Sequence, residues 1–499
     1  MPNIGAWRPA LGILLVSAVG LAVNGYHLGI DDAAIYVPGI KMAADPSLFP
    51  AGSAFFTHHA SLTLFPNLIA LSAKLFRLPI DWAIFVWYVI SLLLLFAASS
   101  ELLRACFVSE RARWAGLCVL AVGLAAPVAG TALILVDPYL TSRSLSTPAT
   151  LFAIAAFAQK RTGVALLWLL VVAAIHPQMC VYAVAALGCM AIARLGAQPL
   201  TTLAPARAAA VAMFALPFSF ELVPAHGIYK EILQSRAYFL VSSWEWYEWV
   251  GVVGPLALLT WFSRMRFSKL RPAFHMLSAA LIPLGVGFTL IAILFASSPQ
   301  FENVARLQPM RCFHLVYLVV FLFSGALLGD YVLRNSAWRW CMLFLPLFAT
   351  MWTLQAREFP SSPHLEIPGL SYSSGWVPAL LWIRENTPKG ALFAMDPDYL
   401  KSPGVDLHGF RAIAERSALA DELKDSGAVS LFPHLGNQWK REVTAQKVWR
   451  ESRYRNYATL VATYGVQWFV FPEREIVPGL TCPYHNHDVR VCTIATISP

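Results

Sequence analysis

Charge is scarce in this chain. Only 13% of its 499 residues are Asp, Glu, Lys or Arg, against ~25% in a typical soluble domain. Water therefore cannot be the solvent for most of its surface. Hydrophobic residues make up 58%, and mean hydropathy is +0.58. Several chemical signatures are missing too. There is no Walker phosphate loop, no G-x-G-x-x-G between a strand and a helix, no H-E-x-x-H and no G-x-S-x-G. ATP-driven transport, nicotinamide chemistry and zinc proteolysis thus find no support. Of the eight cysteines, six lie in or beside apolar runs, where a thiol serves as a small apolar group.

What the chain does have is long apolar runs. Those that cross or nearly cross a ~30 Å hydrocarbon core fall at 9–24, 81–100, 114–136, 147–158, 164–176, 177–193, 207–220, 249–263, 274–297, 312–333 and 338–354. They predict a polytopic α-helical membrane protein of about 11 transmembrane helices. Short, Pro-interrupted spans suit helices that line a cavity. Residues 1–354 carry 22 Lys+Arg against 13 Asp+Glu, whereas 355–499 carry 15 of each. The basic excess therefore sits on the membrane part, spread over short loops. That is a pattern of topology determinants, and it speaks against nucleic acid as a partner.

With the N-terminus in the cytoplasm, Arg104, Arg111, Arg113, Lys160, Arg161, Arg194, Arg264, Arg266, Lys269, Arg271, Arg334 and Arg339 all fall inside, as the positive-inside rule requires. Arg8 and the apolar run after it read as an uncleaved signal anchor. Residues 25–80 form a long first outer segment. Within it, 61–78 is read as an interfacial or re-entrant helix, because a true span there would invert every later loop. The last helix delivers 355–499 to the outer side, the periplasm of a Gram-negative cell, making this a multi-pass inner (plasma) membrane protein.

The expected division is a helical bundle over 1–354 and a small soluble α/β domain over 355–499. In the latter, 376–386 has helical spacing and stops at Thr387-Pro388. Residues 391–395, 410–414, 417–421, 467–471 and 489–494 read as strands, and 438–460 as amphipathic helix. Cys482 and Cys492 flank a short loop, and a disulfide is plausible on an oxidising side.

Polar residues that can carry chemistry gather on the outer side. Asp31 and Asp32 follow the first helix in Gly25-Tyr-His-Leu-Gly-Ile-Asp-Asp. They suit a general base or a divalent metal ion, or the N-cap of the helix that follows. His58 and His59 suit proton transfer or simple interfacial placement. The next outer turn holds Asp137 and Arg143. Arg143 offers a fork for phosphate or carboxylate, or an internal pair with Asp137. His176 lies at a hairpin tip within apolar sequence, and such a residue is a functional candidate by default. Arg306 and Arg311 stand at the edge of a late span, suited to a lipid phosphate or to interfacial anchoring.

This layout resembles the GT-C superfamily of membrane glycosyltransferases. Those proteins share a cytoplasmic N-terminus, an acidic residue in a long first outer loop, short cavity-lining helices and often an outer C-terminal domain. The stretches GIDDAAIYVPGIKMAADPSLFP, DPYLTSRSLSTPATLFAIA and AIHPQM are similar, more specifically, to an uncharacterised family of bacterial polytopic membrane proteins. The GT-C resemblance implies a polyprenyl-phosphate-linked sugar as partner, Asp31 or Asp32 as the loop acid, and Arg306 or Arg311 as donor-phosphate ligand. It implies a sugar transferase whose C-terminal domain receives or orients the acceptor. The non-enzymatic rival is a transporter, flippase or scaffold in envelope polysaccharide assembly, using the same polar cavity.

Overall fold

The computed structural model describes residues 4–196, 224–295, 301, 305–370, 372, 374–451, 457–475 and 479–494. The span expected at 207–220 lies outside them. Helix α1 (Ile4–Asn24) leads into three short helices, α2 (Ala33–Ala44), α3 (Ala54–Ser61) and α4 (Phe65–Phe76). Then come α5 (Ile80–Cys106), α6 (Glu110–Val122), a hairpin of β1 (Pro127–Val128) and β2 (Leu133–Ile134), α7 (Ser142–Ala158), α8 (Thr162–Ile175) and α9 (Pro177–Gly196). After the short α10 (Gly227–Gln234), the helices α11 (Trp246–Arg264), α12 (Pro272–Phe295), α13 (Phe313–Leu328) and α14 (Ala337–Glu358) complete the bundle.

Among the described residues, four helical segments are long and apolar enough to cross a membrane: Ile80–Cys106, Pro177–Leu195, Pro272–Phe295 and Pro309–Leu333. The expected run at 114–136 is not one helix. Gly123 closes α6, and Pro127 and the left-handed Gly130 turn the chain into the β1–β2 hairpin, because proline lacks the donor a helix needs and glycine alone adopts that φ without cost. Within 61–78, α4 has 12 residues. At 1.5 Å per residue it is about 18 Å long, too short to cross.

Glycine allows the close approach of α6 and α13. A Cβ on Gly116 of α6 would meet the Leu322 carbonyl oxygen at 2.7 Å, and one on Gly325 of α13 would meet that of Ala115 at 2.8 Å. Backbone packing of this kind holds helices together where hydrocarbon gives no hydrophobic drive.

The C-terminal region begins with α15 (Trp376–Asn386) and β3 (Leu392–Ala394). Residues Phe410–Ala414, expected as a strand, form a short helix, α16. Its five residues are all buried, so an apolar run bounded by turns gave no period to separate strand from helix. Next come β4 (Ser417–Ala418), α17 (Lys424–Leu431), α18 (Gly436–Glu451), α19 (Tyr457–Tyr464), β5 (Trp468–Pro472), β6 (Leu480–His485) and β7 (Val489–Ile494). The sheet runs β4-β3-β5-β7-β6, with β3 parallel to β4 and β5, and β7 antiparallel to β5 and β6. Cys482 and Cys492 are disulfide-bonded across β6 and β7.

The bundle and this region share one continuous core, which runs from Tyr26 and Phe65 through Phe323 to Phe410 and Val491. The loop after α1 is the seam. Tyr26 N–H donates to the His364 carbonyl at 3.0 Å, Glu366 N–H to that of Tyr26 at 2.8 Å, Asp31 N–H to that of Leu407 at 3.1 Å and Gly409 N–H to that of Gly29 at 2.8 Å. Glu366 is buried at this seam. It accepts from Leu28 N–H at 2.9 Å and lies 3.1 Å from His27 Nδ1 and 2.8 Å from His408 Nε2. Nearby, Lys41 pairs with Asp81 at 2.8 Å and Glu415 at 2.9 Å, and Arg384 pairs with Asp81 at 2.8 Å.

Candidate functional site

The sequence motif after α1 puts two carboxylates at the seam just described. Asp31 takes the left-handed conformation, with φ of 48°, which short polar side chains tolerate better than most. Asp32 stands at the N-cap of α2 but makes no side-chain capping bond. Its carboxylate instead faces a cavity of about 110 Å³. Tyr36, His59, Arg143, His176 and Arg311 also line that cavity, together with Arg236, Tyr238, Gln178 and Gln308. One wall comes from α17 and its flanks: Leu423, Lys424, Ser430, Leu431 and Phe432.

These side chains arrive from four connections at one end of the helices. Asp32 follows α1, Arg143 opens α7, His176 joins α8 to α9, and Arg311 precedes α13. The intervening connections meet at the opposite end, where Val108 N–H donates to the Lys269 carbonyl and Arg111 to Asn335. The early carboxylate and the late arginine therefore share a chamber.

Arg143 is held firmly. Its Nη2 donates to Asp137 Oδ2 at 2.7 Å and lies 3.9 Å from Asp32 Oδ2, with Arg143 and Asp137 both about 6% exposed. A capping box between Thr141 and Ser144 fixes the start of α7. Arg311 differs: among the described residues no carboxylate lies within 4.0 Å of its guanidinium, and its buried Nε has no hydrogen-bond partner. Its backbone is set by the left-handed Gln308, whose carbonyl accepts from Tyr182 OH at 2.8 Å and from Arg311 N–H at 2.9 Å. Gln178 Nε2 ties down the adjacent Leu307 carbonyl at 2.8 Å.

Lys424, the first residue of α17, reaches back to the loop acids. Its Nζ is ion-paired to Asp31 Oδ1 and lies 3.5 Å from Asp32 Oδ1. The Tyr139 hydroxyl donates to Asp31 Oδ2 at 3.0 Å. Burial works to raise the Asp32 carboxyl, but Lys424, Arg143 and Arg311 outweigh it and bring it down to about 2. His59 packs edge-on against Tyr36 at 4.8 Å. Burial, aided by Arg143 and Arg311 against Asp32, holds its imidazole below its ordinary value, so it is neutral near pH 7.

Of the residues singled out from sequence, Asp32, His59, Arg143, His176 and Arg311 line this cavity. Asp31 braces it through Lys424, and Asp137 backs Arg143 from an adjoining pocket. His58 points elsewhere, its Nε2 3.2 Å from His434 Nε2. Arg306 is half-buried and is not among the lining residues. Sequence reasoning passes over Lys424, Arg236 and Tyr238. Arg236 donates through Nη2 to the Leu423 carbonyl at 2.7 Å and to Ser426 Oγ at 2.8 Å, which anchors α17 beside the cavity.

The donor set is poor for a metal. Among the described residues, no three His, Cys, Asp or Glu side chains come together as ligands, and the ammonium of Lys424 already bridges Asp31 and Asp32. Four cations and one carboxylate line the cavity, a composition that favours an anion.

No model of a known protein family matches this chain, and no curated protein sequence matches it. Solved structures do. The cryo-EM structure of the arabinofuranosyltransferase AftD from Mycobacteria matches with a TM-score of 0.50 and 12% identity, over 97% of this chain and 39% of that one. A mutant of the same protein matches with a TM-score of 0.50 and 11% identity, over 97% and 41%. The chain thus spans about two fifths of the length of the structures it matches. With four helical segments among the described residues long and apolar enough to cross a membrane, the chain is a membrane protein that shares the fold of these structures.

Proposed function

We propose that this protein transfers a sugar from a polyprenyl-phosphate donor to an acceptor hydroxyl at the outer face of the bacterial inner membrane. The observation that carries this reading is that Asp32 and Arg311 line one cavity while no carboxylate among the described residues lies within 4.0 Å of the Arg311 guanidinium. A half-buried guanidinium with no carboxylate close by among the described residues is poorly compensated, and an incoming phosphate supplies what it lacks. The basic loops at the opposite end of the helices support an exoplasmic cavity.

In the proposed step Asp32 accepts the proton of the acceptor hydroxyl. The acceptor oxygen bonds to the anomeric carbon as the bond from that carbon to the phosphate oxygen breaks. The polyprenyl phosphate leaves with the electron pair, and Arg311 and Arg143 hold its charge, as fixed donors do for developing anions. Asp32 is a weak base while three cations hold it near 2. A bound phosphate neutralises two of them, so its basicity rises when the donor is in place. His59, neutral beside Asp32, is suited to relay the proton onward. The C-terminal region, a soluble domain on the same side, contributes Ser430, Leu431 and Phe432 to the wall where an acceptor enters.

The test is transfer by the purified full-length protein from polyprenyl-phosphoryl sugars to a panel of hydroxyl acceptors. Asp32→Asn should lower turnover by about 10²–10⁴-fold, the range of a lost general base, with membrane abundance unchanged. Unaltered turnover in Asp32→Asn would remove the proposal.

A further inference from the structure

The two loop acids are adjacent in sequence and face the same space, so the question is what neutralises them. Each of their four oxygens has a cation or a hydroxyl within 4.0 Å. Asp31 Oδ1 is paired with Lys424 and Asp31 Oδ2 accepts from Tyr139, while Asp32 Oδ1 lies 3.5 Å from Lys424 and Asp32 Oδ2 3.9 Å from Arg143. A calcium ion takes six to eight oxygen ligands, and among the described residues no third side chain of the required kind joins the pair.

Lys424 is not a loose surface lysine. Its side chain is 12% exposed. Its own N–H donates to Asp421 Oδ1 at 2.5 Å at the start of α17. Arg411 makes a buried bidentate pair with Asp425, the next residue, at 2.8 and 3.0 Å. Arg236 clamps the Leu423 carbonyl and Ser426 from the other side. Three buried or half-buried polar groups thus serve to aim one ammonium at a loop 393 positions earlier in sequence.

We infer that Lys424 is a positioning residue that takes the place of a divalent cation between Asp31 and Asp32, so that docking of the C-terminal region, and not metal binding, completes the site. This rests on the transferase reading for its use, but its geometry can be tested apart from it. The ammonium fixes the Asp32 carboxylate while leaving Oδ2 open toward the cavity. An ion there would instead coordinate both carboxylates and take them out of play as bases.

The experiment is a titration of the purified full-length protein with Mn²⁺, with the free ion followed by electron paramagnetic resonance. Wild type and Lys424→Arg should show no site in the micromolar range. Lys424→Met should gain one site, and the added change Asp31→Asn should remove it. In a transfer assay run alongside, chelator should leave wild-type turnover unchanged, and Lys424→Met should lose about 100-fold, the scale of one fixed charge in a catalytic site. Lys424→Arg should recover most of that loss. A Mn²⁺ site in wild type that Asp31→Asn abolishes overturns the inference, as does a Lys424→Met protein that folds but gains none. Should Lys424→Met fail to fold, the wild-type titration still decides. If wild type transfers no sugar from any donor, the transferase reading fails, while the Mn²⁺ titration continues to support or overturn the lysine's role by itself.

Discussion

Replacing Glu366 by glutamine removes a charge from a place that offers no water in exchange. Glu366 is 1% exposed at the seam between the bundle and the C-terminal region, and it serves His27, His408 and the Leu28 amide at once. Burial opposes its ionisation, but His408 and His27 prevail and bring the carboxyl from its ordinary 4.5 down to about 2. A difference of that size corresponds to about 3 kcal/mol of folded-state stabilisation at neutral pH. Breaking a buried ion pair from one side costs about 3–5 kcal/mol by an independent route. The loss should be local, opening the seam without melting the helices. Hydrogen exchange reads it directly: at Leu28 and Gly409, whose amides donate across the seam, about 3 kcal/mol is a rise of roughly 100-fold in exchange.

The pH dependence has a definite sign. Glu366, with a lowered folded value, contributes fully above about 4.5 and fades as pH falls toward 2. His408 is pushed down by burial but raised above its ordinary 6.5 overall by Glu366, so its contribution is full below 6.5 and is lost as pH climbs through the raised value. Protection should therefore peak between about 4.5 and 6.5 and flatten in Glu366→Gln. Exchange at both amides within a few-fold of wild type would refute this account of the seam.

Two further expectations concern the bundle. Asp137→Asn strands the buried Arg143 guanidinium, so thermal unfolding in detergent should show a destabilisation of about 3–5 kcal/mol; an unchanged midpoint would mean that Asp32 alone suffices as counter-ion. For orientation, a membrane-impermeant thiol reagent applied to intact cells should label Lys401→Cys and reach Glu110→Cys only after lysis. Both positions are more than half exposed, and the exposed Cys341 is first changed to alanine. The reverse pattern would put the cavity in the cytoplasm.

The sequence and the structure agree where physics is local. Apolar runs and basic loops mark most helices, and α15, β3 and β7 stand where spacing and stop signals put them. Charges stranded in apolar sequence point to Asp32, Arg143, His176 and Arg311, because a polar group near hydrocarbon needs a partner and the partners are found in one place. Lys424 leaves no such trace. It sits in a stretch of ordinary charge density, and its partner Asp31 is 393 positions away, so no periodicity or motif links them. Arg236 is hidden for the same reason. Hydropathy misreads the run at 114–136 because it counts apolar residues and does not weigh Gly123, Pro127 and Gly130 against the helix. The seam itself is invisible in sequence: a boundary drawn at 354 passes through α14, and the core continues across it.

The most direct measurement is equilibrium binding of a polyprenyl monophosphate to the purified full-length protein and to Arg311→Ala. Arg311, like Arg236, is a lining cation with no carboxylate within 4.0 Å among the described residues, and a charge-assisted contact of this kind is worth about 1.5–3 kcal/mol. The variant should therefore bind roughly 10- to 150-fold more weakly, with its thermal unfolding unchanged. Equal binding by both proteins, or none by the wild type, would contradict the assignment of this cavity to a lipid phosphate.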